Sequence, residues 1–305
     1  MFEIVFLGTS ASAPSTHRGL PAQIIKHNEH RFLIDCGEGT QRQILRSGLG
    51  FRKLNRLLIT HGHLDHILGV GGLVSTYLRW EAMDKLEIYG GQTALDRIHD
   101  LLFKVVIRGV KTTFPIDLIP ITEGAIISEN DMTIHAFPVN HRGPDCFGYI
   151  FEEKGKRPFL ADRAEDLNIP QGPWRRDLVN GNATKLPDGR IIKPDEVLGN
   201  FQAGTKLVVV GDTGETESLV PYCKNADALV IEGTYLQDEA QMAHQFAHLT
   251  AHEAAVLAEK ANVGQLFLTH ISRRYREKDV ENEARKIFPN TIVARDFDSY
   301  MIKHD

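Results

Sequence analysis

The 305-residue sequence has few cysteines, no long apolar run and no excess of positive charge. Cys36, Cys146 and Cys223 are too few and too widely spaced for a disulfide framework, which indicates a reducing compartment such as the cytoplasm. No run approaches the roughly 20 apolar residues of a membrane-spanning helix, so we expect no membrane span. The 35 Lys and Arg are outnumbered by 40 Asp and Glu, which excludes nucleic-acid binding through overall positive charge but not through a local basic patch.

Short apolar runs, most of them bounded by turn residues, predict strands along the whole chain. These strands are expected at residues 3–7, 22–25, 31–35, 56–60, 86–89, 132–139, 146–151, 206–210, 228–231 and 265–269. Helical periodicity is found at residues 41–47, 69–80, 93–103, 215–223, 251–261 and 279–287. Strands dominate the N-terminal half and alternate with helices later, which indicates an α/β sandwich of sheets covered by helices.

Residues 152–200 differ in composition from the rest of the chain. They contain several glycines, few apolar runs and five prolines, Pro158, Pro170, Pro173, Pro187 and Pro194. A loop of this length is too long for a plain connection inside a compact domain, so we expect a functional insertion or a mobile arm. A solvated loop without a function is the alternative.

The strongest functional signal is the segment 60–66, which reads Thr-His-Gly-His-Leu-Asp-His directly after a predicted strand. On a strand or a tight loop, His61, His63 and Asp65 point to one side, and His66 can turn in at the start of the next helix. Imidazole nitrogen and carboxylate oxygen are ligands for Zn²⁺, Mn²⁺ and iron. Because this spacing rarely arises by chance, it predicts a metal site.

Three further residues of metal-binding type, His141, Asp212 and His270, each follow a predicted apolar strand. Side chains at strand ends along one edge of a sheet can converge on one point, while the buried strands hold them rigidly. Each residue alone is weak evidence for a ligand. Together with the segment 60–66, the three predict a larger site.

These seven side chains are too many for one tetrahedral zinc ion, and they form two sites if one carboxylate bridges. The predicted arrangement places His61, His63 and His141 on the first metal, Asp65, His66 and His270 on the second, and Asp212 on both. Two ions about 3.5–4 Å apart activate a hydroxide and clamp the oxygens of a displaced ester. Because water and substrate need open coordination positions, we expect a catalytic site.

The ligand pattern resembles the metallo-β-lactamase fold superfamily, and further motifs narrow the resemblance to the short form of ribonuclease Z. These motifs are Gly-Thr-Ser-Ala-Ser-Ala-Pro at 8–14, Asp-Cys-Gly-Glu-Gly-Thr-Gln at 35–41, Gly-Pro at 172–173 and Leu-Thr-His-Ile-Ser-Arg-Arg-Tyr at 268–275. The resemblance extends from residue 2 to about residue 300.

The resemblance implies a single domain over residues 1–305, an αβ/βα four-layer sandwich from which a flexible RNA-gripping arm, residues 151–199, protrudes. It implies a zinc-dependent endoribonuclease that removes the 3′ trailer of precursor tRNA, with two Zn²⁺ per subunit or Mn²⁺ instead. A cytoplasmic homodimer is expected, in which the arm serves the partner's active site. The residues expected to bind substrate are Arg274 near the site and Lys154, Lys156 and Arg157 in the arm.

A proton donor is expected at His248, because the departing ribose 3′-oxygen needs a proton. Thr250 and Glu253 match a capping box, so a helix should begin after His248 and leave it on a loop facing the metals. The position matches the family's His-Ser-Thr motif, with Leu249 in place of serine. The family also implies a catalytic role for Asp65 in orienting the attacking hydroxide, shared with its role as a ligand.

Four alternatives stay open at this point. His244, His248 and His252 have the spacing of a metal-binding stripe on one helix. Glu232 is either a partner of His248 or a surface residue. The same fold can serve a hydrolase of small phosphodiesters, thioesters or lactams. Finally, a metal-stabilised RNA-binding module without catalysis would need a closed metal site.

Overall fold

The structure is a computed structural model that describes residues 1–80 and 83–304. It consists of a larger unit, residues 1–152 with 205–304, and a smaller unit, residues 153–204. Within the described ranges, none of the helices combines the length and apolar character needed to cross a membrane.

The strands that the structure describes are named in chain order. They are β1 (Phe2–Gly8), β2 (Ala22–His27), β3 (His30–Ile34), β4 (Arg56–Leu58), β5 (Leu86–Gly90), β6 (Ile116–Pro120), β7 (Gly124–Ser128), β8 (Met132–Pro138), β9 (Phe147–Glu153), β10 (Thr184–Lys185), β11 (Ile191–Ile192), β12 (Lys206–Val209), β13 (Ala228–Glu232), β14 (Gln265–Thr269), β15 (Thr291–Val293) and β16 (Ser299–Ile302).

The α-helices are named in the same way. They are α1 (Thr40–Arg46), α2 (Leu64–Ile67), α3 (Gly69–Trp80), α4 (Gln92–His99), α5 (Ala161–Asp166), α6 (Pro173–Val179), α7 (Val220–Cys223), α8 (Ala240–Gln245), α9 (Ala251–Lys260) and α10 (Glu277–Arg285). A π-helical segment, Asp100–Val106, continues α4.

The larger unit contains two seven-stranded sheets among its described residues. The first has the order β16-β1-β2-β3-β4-β5-β6, and its strands are parallel from β3 to β6. The second has the order β15-β14-β13-β12-β9-β8-β7, and its strands are parallel from β12 to β15. The carboxyl ends of β12, β13 and β14 therefore lie at one edge of the second sheet.

Large apolar side chains fill the space between the two sheets. Phe2, Ile4 and Phe6 alternate along β1 and pack in the same cluster as Tyr149 and Phe151 of β9. Alternate residues of a strand face opposite sides of the sheet. Leu7, the residue after Phe6, accordingly belongs to a second cluster, on the other face of the first sheet.

Helices cover the outer face of each sheet. The cluster on the first sheet includes Ile44 of α1 and Val70 of α3, and the cluster on the second includes Ala254 of α9 and Val280 of α10. The layers therefore run helix, sheet, sheet, helix. This confirms the predicted αβ/βα four-layer sandwich.

The smaller unit has regular structure and a core of its own. It contains α5, α6 and the antiparallel hairpin β10–β11. Its buried apolar cluster consists of Ala164, Ile169, Leu178, Leu186, Ile192 and Val197. No helix or strand was predicted here, because each element is short and the prolines interrupt any apolar period. The expected flexibility and RNA grip of residues 151–199 stay predictions.

The sequence located most of the longer elements but missed several short ones. The predicted helix 69–80 coincides with α3, whereas β6, β7, β15, β16 and α8 were missed. The residues of β6 are only partly buried and include Asp117 and Pro120. The outermost strands of a sheet have a weaker apolar pattern than central strands, because fewer neighbours cover them.

Candidate metal centre

Loops at strand ends in both sheets bring the seven predicted ligands together. His61 and His63 follow β4, Asp65 and His66 lie in α2, and His141, Asp212 and His270 follow β8, β12 and β14. The first sheet thus supplies the contiguous segment and the second sheet supplies the separate residues. All seven side chains are buried or half-buried.

The seven side chains form two adjoining groups. The potential ligand atoms of His61, His63, His141 and Asp212 lie within 4.8 Å of one another, and those of Asp65, His66 and His270 do so as well. These groups coincide with the two sets predicted from the sequence. The structure thus places the residues together, while their role as metal ligands stays a prediction.

Asp212 lies between the two groups and turns one oxygen toward each. Its Oδ2 is 3.7 Å from His61 Nε2 and 3.9 Å from His141 Nε2. Its Oδ1 is 3.5 Å from His66 Nε2 and 3.4 Å from His270 Nε2. This is the geometry expected of a carboxylate that bridges two cations.

Several of these side chains have buried polar atoms without a hydrogen-bond partner in the part of the chain that the structure describes, and such atoms fit a metal. His61 Nε2, His66 Nε2, His270 Nε2 and Asp212 Oδ1 are buried and have no hydrogen-bond partner among the described residues. Buried polar atoms are normally paired, so four unpaired atoms in one place indicate a missing charged or polar group. Nitrogen and oxygen donors of this kind are ligands for divalent metals.

The opposite ring nitrogen of several imidazoles is fixed by the protein. His61 Nδ1 is 3.0 Å from Thr60 Oγ1, and His66 Nδ1 is 2.7 Å from Asp35 Oδ2. His141 Nδ1 donates to the Ala247 carbonyl at 2.8 Å, and His270 Nδ1 is 2.9 Å from Thr234 Oγ1. Partners of this kind set the ring orientation and leave Nε2 for the metal.

Asp35 supports the segment 60–66 from below. Its Oδ1 accepts the Thr60 backbone N–H at 2.8 Å, and its Oδ2 accepts the Thr60 hydroxyl at 2.8 Å as well as His66 Nδ1–H. The backbone of Asp35 adopts a left-handed conformation with φ of 55°. Asp35 therefore supports the centre through Thr60 and His66 and is not one of the predicted ligands.

The protonation states largely favour metal binding. Burial acts to raise the pKa of Asp212, but the adjacent imidazoles of His270 and His66 hold it well below its ordinary value. Burial, together with His141, lowers the pKa of His63 to about 4. Ionised carboxylates and neutral imidazoles are the forms that bind metals.

His66 differs from the other imidazoles in its charge. Burial acts to lower its pKa, but the carboxylates of Asp212 and Asp35 raise it well above the ordinary value. Nδ1 of His66 faces Asp35, and Nε2 faces Asp212, so a metal at this position would replace the proton on Nε2 as the neighbour of Asp212. Metal binding at His66 therefore requires the release of a proton.

His248 lies where the sequence placed it, on a loop before α9. Thr250 is the N-cap of α9, and the capping box with Glu253 is present, with hydrogen bonds of 3.2 and 2.8 Å. His248 Nδ1 is 3.0 and 3.1 Å from the two oxygens of Glu232, which is buried. Glu232 is thus a partner of His248 and not a surface residue.

The charge of Glu232 decides the protonation of His248. Burial acts to lower the pKa of this imidazole, but the charge and hydrogen bond of Glu232 raise it to about 9. His248 also lies within 4.8 Å of ligand atoms of Asp212 and His270, as a third potential ligand group. Its place beside the centre is therefore compatible with proton donation and with coordination.

The alternative that His244, His248 and His252 form a metal-binding stripe on one helix is wrong. Helix α8 ends at Gln245 and α9 begins at Ala251, so the three residues do not share a helix. His244 is exposed and its Nε2 lies 2.6 Å from Glu253. The capping box starts a new helix after Thr250, so that only His252 of the three lies in α9.

The predicted substrate-binding arginines have protein partners. Arg274 contacts Glu239 Oε1 at 2.5 Å and Met242 Sδ at 3.3 Å. Arg157, in the smaller unit, donates to the Gly199 carbonyl at 2.8 Å and pairs with Asp195 at 2.6 Å. The lysines 154 and 156 are exposed.

Sequence reasoning missed three residues that line the cavity at the centre. This cavity of about 500 Å³ is lined by Ser12, Arg97 and Arg142 together with predicted site residues such as His63 and Asp212. The Ser12 backbone N–H donates to Asp65 Oδ2 at 3.1 Å, and Arg97 donates to the Gly62 carbonyl at 2.8 Å. Two of the three had a sequence signal, since Arg142 directly follows His141 and Ser12 lies in the motif at 8–14.

Comparison with known proteins decides the family. The chain is 47% identical over 302 residues to "Ribonuclease Z" of Bradyrhizobium diazoefficiens, a match that covers 99% of this chain and 100% of that protein. The chain belongs to the ribonuclease Z family. The resemblance stated from the motifs is therefore confirmed over nearly the whole length.

Solved structures support the fold of this ribonuclease Z family member. Human tRNase Z, short form, matches with a TM-score of 0.69 and 23% identity, covering 99% of this chain and 100% of that one. The metallo-beta-lactamase fold protein YhfI from Bacillus subtilis matches with a TM-score of 0.68 and 16% identity, covering 98% of each chain. At these identities, the likeness is one of fold.

A family model described as "Anti-Pycsar protein Apyc1" matches residues 2–166, slightly over half of the chain. This span contains the predicted ligands up to His141 and ends before Asp212, His248 and His270. The match to ribonuclease Z covers the complete site. The full-length match therefore identifies the family more fully than the N-terminal one.

We expect Asp35→Ala to destabilise this ribonuclease Z family member and weaken its metal binding. The change leaves His66 and Thr60 donors buried and unpaired, at about 1–3 kcal/mol each. Losing the partner of a metal-binding histidine costs roughly 10–100-fold in metal affinity. Urea unfolding and calorimetric zinc titration measure the two effects. Asp117→Ala, on an exposed part of β6, should change neither, and unaltered zinc affinity in Asp35→Ala would contradict the supporting role.

Proposed function

We propose that this chain is a metal-dependent endoribonuclease that cleaves precursor tRNA at the 3′ end and releases the 3′ trailer. The observation that carries the proposal is the cluster around Asp212, with four unpaired buried donor atoms, in a chain of the ribonuclease Z family. Membership of a ribonuclease family goes against a module that only binds RNA.

We further propose two Zn²⁺ per subunit, with Mn²⁺ as the alternative metal. His61, His63 and His141 would hold one ion, Asp65, His66 and His270 the other, and Asp212 would bridge. Five imidazoles among seven ligands favour zinc over magnesium or calcium, which prefer oxygen ligands. When bound, such a pair of ions lowers the pKa of water and neutralises charge on the phosphate oxygens.

The chain's own residues supply the proton and the positioning. His248 carries a proton at neutral pH because Glu232 raises its pKa to about 9. With Nδ1 held by Glu232, Nε2 is the nitrogen that gives its proton to the departing ribose 3′-oxygen as the bond to phosphorus breaks. Asp65, held by the Ser12 N–H, orients the attacking water in addition to its role as a ligand.

The smaller unit is proposed as the RNA-gripping arm. Lys154 and Lys156 are exposed there, and lysines bind phosphates by releasing condensed counterions. A local basic patch allows a chain with net charge −5 to bind RNA. Arg157 has partners inside the unit, so we expect it to support the arm as well as to contact RNA.

A cytoplasmic homodimer completes the proposal, with the arm of one subunit serving the other's centre. Cys36, Cys146 and Cys223 are unpaired and buried, which supports a reducing compartment. Arg274 is proposed to exchange Glu239 for a substrate phosphate, because its guanidinium is half-exposed.

A hydrolase of small phosphodiesters is the second candidate. The cavity of about 500 Å³ at the centre lies within the usual range of small-molecule sites. Turnover of bis(p-nitrophenyl) phosphate, compared with cleavage of a 3′-extended tRNA, separates the two. A chain that cleaves only the small ester would overturn the RNA proposal.

We expect chelation to abolish cleavage of a 3′-extended tRNA and zinc to restore it. His63→Ala should lower both metal content and cleavage, because it removes one ligand of the first group. Elemental analysis and gel mapping of the cut measure these effects. His135→Ala, a partly exposed imidazole on β8, is the control. Full metal content and activity in His63→Ala would refute the ligand assignment.

We expect His248→Ala to keep its metal content and lose turnover by about 10²–10⁴-fold, the usual contribution of a general acid. Glu232→Gln removes the charge that raises the pKa of His248. A general acid fails above its pKa, so the decline of kcat at high pH should move to lower pH. Metal analysis and pH profiles of kcat measure these effects. Metal loss in His248→Ala would instead assign this residue as a ligand.

We expect changing Lys154 and Lys156 together to alanine to weaken binding of precursor tRNA. Each lost phosphate contact should reduce the slope of log K against log salt by about 0.7–0.9. Filter binding over a range of salt concentrations measures the slope. The same change at Lys278 and Lys286, exposed on or next to α10, is the matched control. An identical slope in both double variants would show that these arm lysines make no contact.

A further inference from the structure

Phe246 is a large apolar side chain exposed at the end of α8. Its exposed fraction is 39%, although it lies two positions before the buried His248. Single exposed apolar side chains are common on protein surfaces, so exposure alone carries no inference. The inference rests instead on the place of Phe246 in the chain and on its neighbours.

A sharp turn places Phe246 outside and His248 inside. The Phe246 N–H donates to the carbonyls of Met242 and Ala243, both at 3.1 Å, and the His248 N–H donates to Ala243 at 2.9 Å. Between them, Ala247 has a φ of 52°, a left-handed conformation that residues with a Cβ rarely adopt. The turn thus ties the exposed ring to the proposed proton donor.

The same turn is attached to the metal centre. The carbonyl of Ala247 accepts the hydrogen bond of His141 Nδ1 at 2.8 Å. Gly214, two residues after Asp212, faces this turn, since a Cβ there would lie 3.1 Å from the Ala247 Cβ. The turn that carries Phe246 therefore contacts His141 directly and lies close to Gly214, two residues after Asp212.

Arg142 lies over the ring of Phe246, with its guanidinium carbon 5.7 Å from the ring centroid. Its side chain is exposed and makes no hydrogen bond or ion pair among the described residues, unlike that of Arg274. Arg142 also lines the cavity that holds His63, Asp212 and His248. The arginine therefore joins the exposed ring to the cavity.

An exposed aromatic ring beside an unpaired guanidinium is suited to single-stranded nucleic acid. Nucleobases stack on aromatic rings and on arginine planes, and this binding tolerates any base. Arginine also attracts phosphate, and a cation over a ring adds its own attraction. A substrate with bases next to the bond being cut would fit this surface.

We propose that Phe246 and Arg142 form a stacking platform for a nucleobase that flanks the scissile phosphodiester. This rests on the proposed function and deepens it, because the platform sets which phosphodiester reaches the centre. Phe246 is thus a substrate-positioning and specificity-determining residue beside His248. The sequence alone gave it no role.

The test compares Phe246→Leu and Phe246→Tyr on a 3′-extended tRNA. Loss of one base stack should lower kcat/KM by about 5- to 100-fold in Phe246→Leu, whereas Phe246→Tyr keeps an aromatic face and stays near wild type. Phe103→Leu, which changes a ring exposed to a similar 38%, is the matched control and should be unaffected. Gel mapping should show additional cut positions in Phe246→Leu only.

A second experiment uses tRNA precursors with an abasic nucleotide on the 5′ or the 3′ side of the cut. One of them should lose the same factor with wild-type enzyme, and Phe246→Leu should then add no further loss. If Phe246→Leu lowered kcat/KM further on both abasic substrates, the ring would not stack on either base and the platform would be overturned. Equal kcat/KM for Phe246→Leu and wild type on the unmodified precursor would overturn it as well. Absence of wild-type cleavage of the unmodified precursor would overturn the proposed function, and the platform with it.

Discussion

The centre depends on the burial of one carboxylate among imidazoles. Asp212 is almost fully buried, and five imidazole nitrogens, including that of His248, lie 3.4–3.9 Å from its oxygens. A buried carboxylate is costly unless positive charge and hydrogen bonds compensate it. The charge of His66 provides part of this compensation, and Asp212 Oδ1 has no hydrogen-bond partner among the described residues. The buried donor atoms around Asp212 therefore fit divalent cations.

The protein fixes four of the five imidazoles among the predicted ligands through partners at Nδ1, whereas His63 Nδ1 lies 3.3 Å from His141 Nε2. Asp35, Thr60, Thr234 and the Ala247 carbonyl hold Nδ1 atoms, so that Nε2 atoms face inward. Asp35, Thr60 and Thr234 lie on loops after strands, and Ala247 lies on the turn between α8 and α9. The large apolar core between the sheets keeps the strand ends in place. Rigid strands thus provide the precision, and irregular loops provide the chemistry.

The side chains at the rim of the centre differ from those in its interior in their exposure to solvent. Inside, side chains are buried and held by hydrogen bonds, whereas at the mouth Arg142 and Phe246 are exposed. The turn at Ala247 connects the two regions through one carbonyl and one left-handed residue. The cluster of predicted ligands and the proposed stacking platform are therefore connected through a few backbone atoms, although their side chains face opposite environments.

The sequence alone determined the layered α/β fold, because the apolar periods of strands and helices are local. It also determined the seven residues of the cluster and their two groups, because four lie in the segment 60–66 and the other three each follow a predicted strand. It also placed His248 outside its helix, since a capping box is read from four consecutive residues. The tertiary structure alone decided that Arg274 contacts Glu239, that Arg142 reaches the centre and that Phe246 lies beside it. These contacts join residues distant in the chain, and no local period specifies which partner a long side chain meets.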